Sequence, residues 1–296
     1  MANHDAAMAW LRGELATSNI TLSPVAGATT SDLYKVVTPD AAYALRVFDA
    51  SVWLENIADL PGQEERVLRT LASSTLAAPR FIAGAGVGSA IGPAVLMSWL
   101  PGEVVLPTRP DPAWLNALAR TLAAIHRQPL ALRRQYHSWQ SMTAKPAPDW
   151  FTDATLWRAV QRAITKSPTE SESCFLHRDF HPVNVLWTGG AISGVRAISG
   201  IVDWVNACMG PRGVDVAHCR LNLVLMYGLA VADAFLAAYD EAAGGYRHDR
   251  YWDLDAALAW FPEPTSYPPW EDFGLGPIEE PLLIERIVQF LAATVG

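Results

Sequence analysis

Two periodicities divide the chain. In the first hundred residues, apolar positions fall in short runs separated by turn formers. Residues 33–38 (LYKVVT) and 43–48 (YALRVF) are β-rich. The Pro-Asp-Ala-Ala between them predicts a hairpin turn, because Pro presets φ and Asp can bond its own backbone. Residues 62–72 place Val67, Leu68, Leu71 and Ala72 at helical spacing, and Ala78-Pro79 stops that helix. Residues 81–98 hold two more strand-like runs, FIAGAGV and AVLMS. Pro101-Gly102 is the strongest punctuation in this half and predicts a boundary between residues 1–100 and 101–296. Beyond it the period becomes helical. Residues 113–126 put Trp114, Leu115, Leu118, Leu122 and Ile125 on one broad face, and 214–239 and 278–293 read as helices too. Residues 175–187 and 198–203 are apolar runs around a Gly-rich turn, where AISG occurs twice. Residues 261–277, rich in Pro, Gly and aromatics, read as an ordered loop.

Composition narrows the function classes. The 296 residues are 51% hydrophobic and 18% charged, which excludes disorder and a small disulfide scaffold. Lys and Arg number 22 against 30 Asp and Glu, a net charge of −8 that disfavours nucleic acid or an anionic membrane as the main partner. The longest apolar run, Leu223 to Ala232, falls short of the roughly 20 residues that span a bilayer. The opening residues lack the basic-then-apolar order of a signal peptide. Three cysteines (Cys174, Cys208, Cys219) without a C-x-x-C read as reduced thiols of a cytoplasmic protein.

The chemistry concentrates in Phe175 to Asp203. Asp179 sits on a short polar loop between two apolar runs, Asn184 lies at the mouth of the next strand, and Asp203 ends the return strand. A loop and a hairpin can bring these three oxygen-bearing side chains to one edge. Carboxylate and amide oxygens suit Mg²⁺, which fills the rest of its shell with water and phosphate. Asp179 is then free to orient or deprotonate a hydroxyl, and phosphoryl transfer needs little beyond positioning, charge neutralisation and such a group.

The segment H-R-D-F-H-P-V-N-V-L-W resembles the H-G-D-x-H-P-x-N of the aminoglycoside phosphotransferase family, and G-I-V-D-W follows it in that family's order. Residues 62–71, Pro79-Arg80-Phe81, Val95–Gly102 and Gly213–Ala217 extend the likeness over roughly residues 25–240. The resemblance implies an α+β, protein-kinase-like two-lobe fold: a small β-rich N-lobe covering the nucleotide (1–100) and a larger, mainly helical C-lobe with the catalytic loop, metal ligands and acceptor pocket (101–296). It implies that Asp179 is the catalytic base or hydroxyl-orienting residue, that Asn184 and Asp203 hold Mg²⁺, and that ATP, or GTP in its place, is the donor. Arg46 falls where the family's strand carries a phosphate-gripping Lys, and Glu64 where the first helix supplies its carboxylate partner. Backbone groups of Ser98 and Leu100 would face the adenine, and Gly27 to Ser31 would form the turn over the phosphates. Arginine binds bidentately and stays charged, so it is not a neutral replacement for lysine; Lys35 on the neighbouring strand is the minor alternative to Arg46 in that role.

The function so implied is an ATP-dependent O-phosphotransferase acting on a small-molecule hydroxyl. Its acceptor would be an antibiotic such as an aminoglycoside or macrolide, or a sugar or amino alcohol. The rival is a non-catalytic nucleotide-binding module of the same fold. A protein kinase fits less well: Asp203 is followed by Trp204, and only eleven residues separate it from Asp215, too few for a peptide-binding activation segment. His177, Asp179 and His181 form H-x-D-x-H, which also admits a zinc reading. Asp215 reads as the N-cap of the 214–239 helix. The acids Asp240, Glu241, Glu263, Glu271, Asp272, Glu279 and Glu280 would suit an amino-sugar. Trp260, Phe261, Tyr267 and Trp270 would instead line an apolar pocket.

Overall fold

The computed structural model describes residues 4–28, 31–48, 59–138, 146–170, 172–189, 196–260 and 265–296. Its contacts divide the chain into two compact units, Met1–Val104 with Val185–Asn206, and Val105–Asn184 with Ala207–Gly296.

The first unit carries a five-stranded antiparallel sheet of order β1-β2-β3-β5-β4, formed by β1 (Thr21–Pro24), β2 (Ser31–Val37), β3 (Ala42–Phe48), β4 (Phe81–Ala85) and β5 (Ala94–Ser98). The expected hairpin is present. Thr38 N–H donates to the Ala41 carbonyl at 2.9 Å, and Leu33 comes to lie opposite Arg46. Side chains alternate across a strand. Leu45 and Val47 therefore share a buried face with Val36, Ala94 and Leu96, closed by Ala7 and Leu11 of α1 (His4–Leu15). Arg46, between them, is on the opposite face. There α2 (Leu60–Leu71) packs along β4 and β5. Asp59 caps α2 by accepting from Gly62 N–H at 2.9 Å, and the helix buries Glu64 beside Val67, Leu68 and Leu71.

The same unit includes a three-stranded sheet of order β6-β8-β9, from β6 (Glu103–Val104), β8 (Val185–Gly189) and β9 (Arg196–Ile201). The Gly-rich tip of the β8–β9 hairpin lies outside the described residues. Gly102 has φ 116°, and a Cβ there would come within 2.8 Å of the Trp187 carbonyl, so only glycine fits at that turn.

In the second unit β7 (Cys174–Leu176) pairs antiparallel with β10 (Cys208–Gly210). Around this ribbon stand α3 (Pro112–His126), α4 (Ala154–Ile164), α5 (Gly213–Tyr227), α6 (Leu229–Ala243), α7 (Tyr251–Trp260), α8 (Pro268–Asp272) and α9 (Glu280–Val295). One expectation is corrected: the 214–239 stretch is two helices. Gly228 adopts φ 92°, outside the helical range, and turns the chain so that α6 packs on both α3 and α5. The loop read over 261–277 contains α8, while 261–264 lie outside the described residues. Among the described residues no helix is long and apolar enough to cross a membrane.

Gly213, the first residue of α5, lies against Trp252. A Cβ there would come within 2.8 Å of the indole Cγ. Gly213→Ala should lower stability by about 1–3 kcal/mol through overpacking, read as an earlier urea midpoint with an unchanged m-value.

Candidate active site

The loop that leaves β7 is held from beneath by one acid. Asp215 is completely buried. It accepts from the backbone N–H of His177 at 2.8 Å and of Arg178 at 2.7 Å. His126 Nε2 stands 3.2 Å from the same carboxylate, and Tyr239 hydroxyl lies 2.6 Å from His126 Nδ1. Asp215 is thus not the N-cap expected from the sequence. The helix begins at Gly213, Arg212 occupies the cap position, and the carboxylate is turned away from the helix end onto the loop. Burial works to raise its pKa, but the His126 contact and charge, together with the loop N–H groups, hold it below the usual range. The pinned loop contains Arg178 at φ 77°, a left-handed conformation that a non-glycine residue keeps only when its surroundings fix it.

Asp179 follows. Its Oδ1 is 2.9 Å from His218 Nε2 and 3.8 Å from His181 Nε2. Asn184 sends its amide N–H to the Asp179 carbonyl at 2.8 Å and to Oδ2 at 3.2 Å. Burial favours the neutral acid, yet the hydrogen bond with His218 and the electrostatic influence of His181, His218 and His177 override it and hold the Asp179 pKa well below the usual carboxylate range. The ligand atoms of Asp179, His181 and His218 lie within 4.8 Å of one another. The set suggested by H-x-D-x-H is therefore corrected in membership: His177 instead receives Asp179 N–H on Nδ1 at 3.2 Å.

Next to Asp179 the second unit opens into a cavity of about 210 Å³. Leu221, Leu225, Trp252, Tyr267 and Trp270 form much of its wall, and Asp179, His181 and His218 belong to its lining. Tyr267 and Trp270 were expected at a pocket; Phe261 and Glu263 lie outside the described residues, as does the side chain of Trp260.

In the first unit, Arg46, Glu64 and Asp203 come together. One guanidinium nitrogen of Arg46 is 2.7 Å from Asp203 Oδ1 and 3.4 Å from Glu64 Oε1. Glu64 is almost completely buried; desolvation raises its pKa to about 7, against the opposing pull of Arg46. Asp203 has φ 64°, a second strained non-glycine backbone. Lys35 stacks its ammonium 4.5 Å from the Trp99 ring centroid. Ser98 N–H donates to the Arg80 carbonyl and its hydroxyl oxygen accepts from Arg80 N–H, whereas the backbone groups of Leu100 make no hydrogen bond among the described residues. Gly27 adopts φ 92° in the β1–β2 turn and Ser31 opens β2, but Thr29 and Thr30 lie outside the described residues.

Taken unit by unit, these side chains have the chemistry that a magnesium nucleotide would need. Asn184 spends its N–H on Asp179 and keeps its amide oxygen, the atom a hard cation takes. Asp203 has one oxygen on Arg46 and a side chain about one-third exposed. Arg46 supplies the cationic fork that phosphate groups require.

The model of the phosphotransferase enzyme family matches residues 21–255. The chain belongs to that family. It is accordingly a small-molecule phosphotransferase with a hydroxyl group as acceptor. Solved structures agree on the fold. Choline kinase LicA from Streptococcus pneumoniae superposes with a TM-score of 0.63 at 15% identity, covering 98% of both chains. A thermostable mutant of aminoglycoside phosphotransferase APH(4)-Ia, crystallised with ADP and hygromycin B, gives 0.63 at 18% identity, covering 98% of this chain and 99% of that one. No curated protein sequence matches.

The phosphotransferase also shows a functional residue that sequence reasoning passed over. His218 follows Asp215 by three positions, and residues three apart share a helix face. Once α5 begins at Gly213, an Asp215 aimed at the loop carries His218 to Asp179. Cys174 and Cys208 have thiol pKa values pushed up to about 12 by burial, so both stay protonated and inert.

Two outcomes test this arrangement. Asp215→Ala leaves buried donors on His177, Arg178 and His126 without an acceptor and should cost about 3–5 kcal/mol in chemical denaturation. Glu64 binds its proton more tightly in the folded chain than in the unfolded one. Its contribution to stability therefore falls as pH rises from about 4.5 to about 7, by on the order of 3 kcal/mol in total. Glu64→Gln should flatten stability over that window, measured as urea midpoints at successive pH values; an unchanged slope would show that Glu64 titrates normally.

Proposed function

We propose that the enzyme transfers the γ-phosphoryl group of ATP to a hydroxyl of a small molecule, with Asp179 aligning that hydroxyl. The observation that carries this reading is Asp179 itself: an ionised carboxylate on a pinned loop, at the wall of a cavity with room for an acceptor. The substrates named for the similar structures, hygromycin B and choline, support a small acceptor bearing a hydroxyl.

Asp179 accepts a hydrogen bond from the acceptor hydroxyl and points its oxygen at the γ-phosphorus. The new O–P bond forms as the bond to the β-phosphate oxygen breaks. ADP leaves, and the hydroxyl proton passes to the Asp179 carboxylate. A carboxylate with so low a pKa is a weak base. That suffices, because a loose phosphoryl-transfer transition state calls for orientation more than early deprotonation. Asn184 and Asp203 would hold Mg²⁺ through their side-chain oxygens, and the ion would supply neutralisation of phosphate charge. Arg46 grips the phosphates, with Glu64 and Asp203 fixing its fork. Backbone groups of Ser98 and Leu100 face the adenine, Ser98 through its carbonyl because its N–H is spent on Arg80, and Gly27 to Ser31 supply the turn over the phosphates. Residues 1–100 serve as the nucleotide-covering part and 101–296 as the part that holds the acceptor. GTP as donor and a cytoplasmic location remain part of this reading.

Asp179→Ala should lower kcat by about 10²–10⁴-fold with little change in the ATP KM, measured as ADP release; turnover within a few-fold of wild type would refute its role. Arg46→Ala should raise the ATP KM at least about tenfold, as loss of a charge-assisted phosphate contact does, and Arg46→Lys should restore most of it. Equal ATP affinity in the two variants would remove Arg46 from the phosphate site.

A further inference from the structure

From the cavity beside Asp179 we infer that the acceptor is a compact, predominantly apolar alcohol, of the class of arylalkyl or cycloalkyl alcohols, and not a polycationic sugar. The inference rests on the phosphotransferase reading and adds the substrate class to it.

Size is the first argument. A cavity of about 210 Å³ lies below the roughly 300–1,000 Å³ that takes drug-sized ligands. One ring with a short hydroxyalkyl arm fills it, whereas a multi-ring amino-sugar would extend beyond it.

The wall chemistry is the second. Leu221 and Leu225 of α5 face the cavity together with Ala259 of α7 and the rings of Trp252, Tyr267 and Trp270. The apolar surface reaches the catalytic group. The His181 ring stands 5.7 Å from that of His218 and 6.0 Å from that of Tyr267, and Tyr267 stands 5.8 Å from Trp270. An alcohol whose oxygen meets Asp179 therefore lays its carbon skeleton against aromatic and aliphatic side chains. Burying that skeleton contributes about 25 cal/mol per Å² of apolar surface.

Charge is the third. Apart from Asp179, the one carboxylate lining the cavity among the described residues is Asp255. Both of its oxygens are engaged: Oδ1 accepts from the Ser138 hydroxyl at 2.6 Å and Oδ2 from the Tyr136 hydroxyl. Arg178, also in the lining, places its guanidinium 4.6 Å from the Tyr136 ring centroid and so adds positive charge to the same wall. The acids that suggested an amino-sugar are elsewhere. Glu271, Asp272, Glu279 and Glu280 are solvent-exposed, and neither they nor Asp240 and Glu241 line the cavity. Beyond Asp179, a polycation would meet an arginine and one occupied carboxylate, an arrangement that selects against it.

The test uses the full-length protein with Mg²⁺ and ATP. ADP release is measured with 2-phenylethanol, 3-phenyl-1-propanol and cyclohexylmethanol, and in parallel with choline, D-glucose, kanamycin A and hygromycin B. ATP binding is followed separately by calorimetry with a non-hydrolysable analogue. The expected result is a kcat/KM for the best apolar alcohol at least tenfold above those of choline, the sugar and the two antibiotics. Ala259→Phe, which fills the cavity from α7, should raise the alcohol KM at least tenfold while analogue binding is unchanged. Two results would overturn the inference and leave the phosphotransferase reading intact: turnover of any of the polar probes equal to or above that of the alcohols, or no turnover of the alcohols by protein that still binds the analogue. Protein that binds no nucleotide would sink both.

Discussion

Asp215 is withdrawn from water altogether, and its charge is tolerated because donors converge on it from two directions: the N–H groups of His177 and Arg178, and the ring of His126. Desolvating an ionised carboxylate is costly unless its lone pairs are filled, so the cost is met only when the loop after β7 takes one particular path. That path includes Arg178 in a left-handed conformation. The Asp215 contacts thus hold local strain in place and aim Asp179. Tyr239 of α6 extends the chain of hydrogen bonds through His126 of α3, which ties the loop to two helices distant in sequence.

A second constraint operates in the first unit, where one arginine nitrogen serves two carboxylates. Glu64 is buried enough that its proton is lost only near neutrality, whereas Asp203 is partly exposed and gives Arg46 its shorter contact. The charge on Arg46 is therefore balanced mainly by Asp203. This answers one question raised by arginine in a position where lysine was expected. A lysine ammonium can pivot between partners; a planar guanidinium fixed by two acids presents its remaining N–H groups in a set direction. The arrangement fixes the direction of the guanidinium at the expense of adaptability, as the proposed phosphate contact would need.

Much of this was legible in the sequence, and where it was not there is a physical reason. The β2–β3 hairpin, α2, β5 and α3 follow from turn residues, caps and periodicity, and the structure reproduces them within a few residues. An acid on a loop is by itself most often a cap or a solvated turn residue; Asp179, Asn184 and Asp203 stood out as an ordered set, through their resemblance to the family's motif. Gly228 did not, since a glycine within an apolar helical run is as compatible with an unbroken helix as with a break. The α4 stripe of Trp157, Val160 and Ile164 is narrow and lies among polar residues, too weak to mark a helix among loops. Asp215 was misread because an acid near a helix start serves equally well as a cap or as an acceptor for a neighbouring loop, and only the path of that loop decides which.

The stripe that runs along α5 connects these observations. Asp215, His218, Leu221, Asn222 and Leu225 recur at intervals of three and four, so one face of a single helix carries the loop anchor, the partner of Asp179 and part of the cavity wall. A rigid helix cannot rotate to adjust one of these functions without moving the others. Turning Leu221 and Leu225 away from the cavity would also withdraw Asp215 from the His177 and Arg178 amides and His218 from Asp179. Variation in the shape of the cavity must then come from side-chain size at positions 221 and 225, or from α7 and α8, which supply Ala259, Trp252 and Trp270. A fixed loop anchor and a changeable cavity wall are compatible here because they share a helix face while occupying different positions on it.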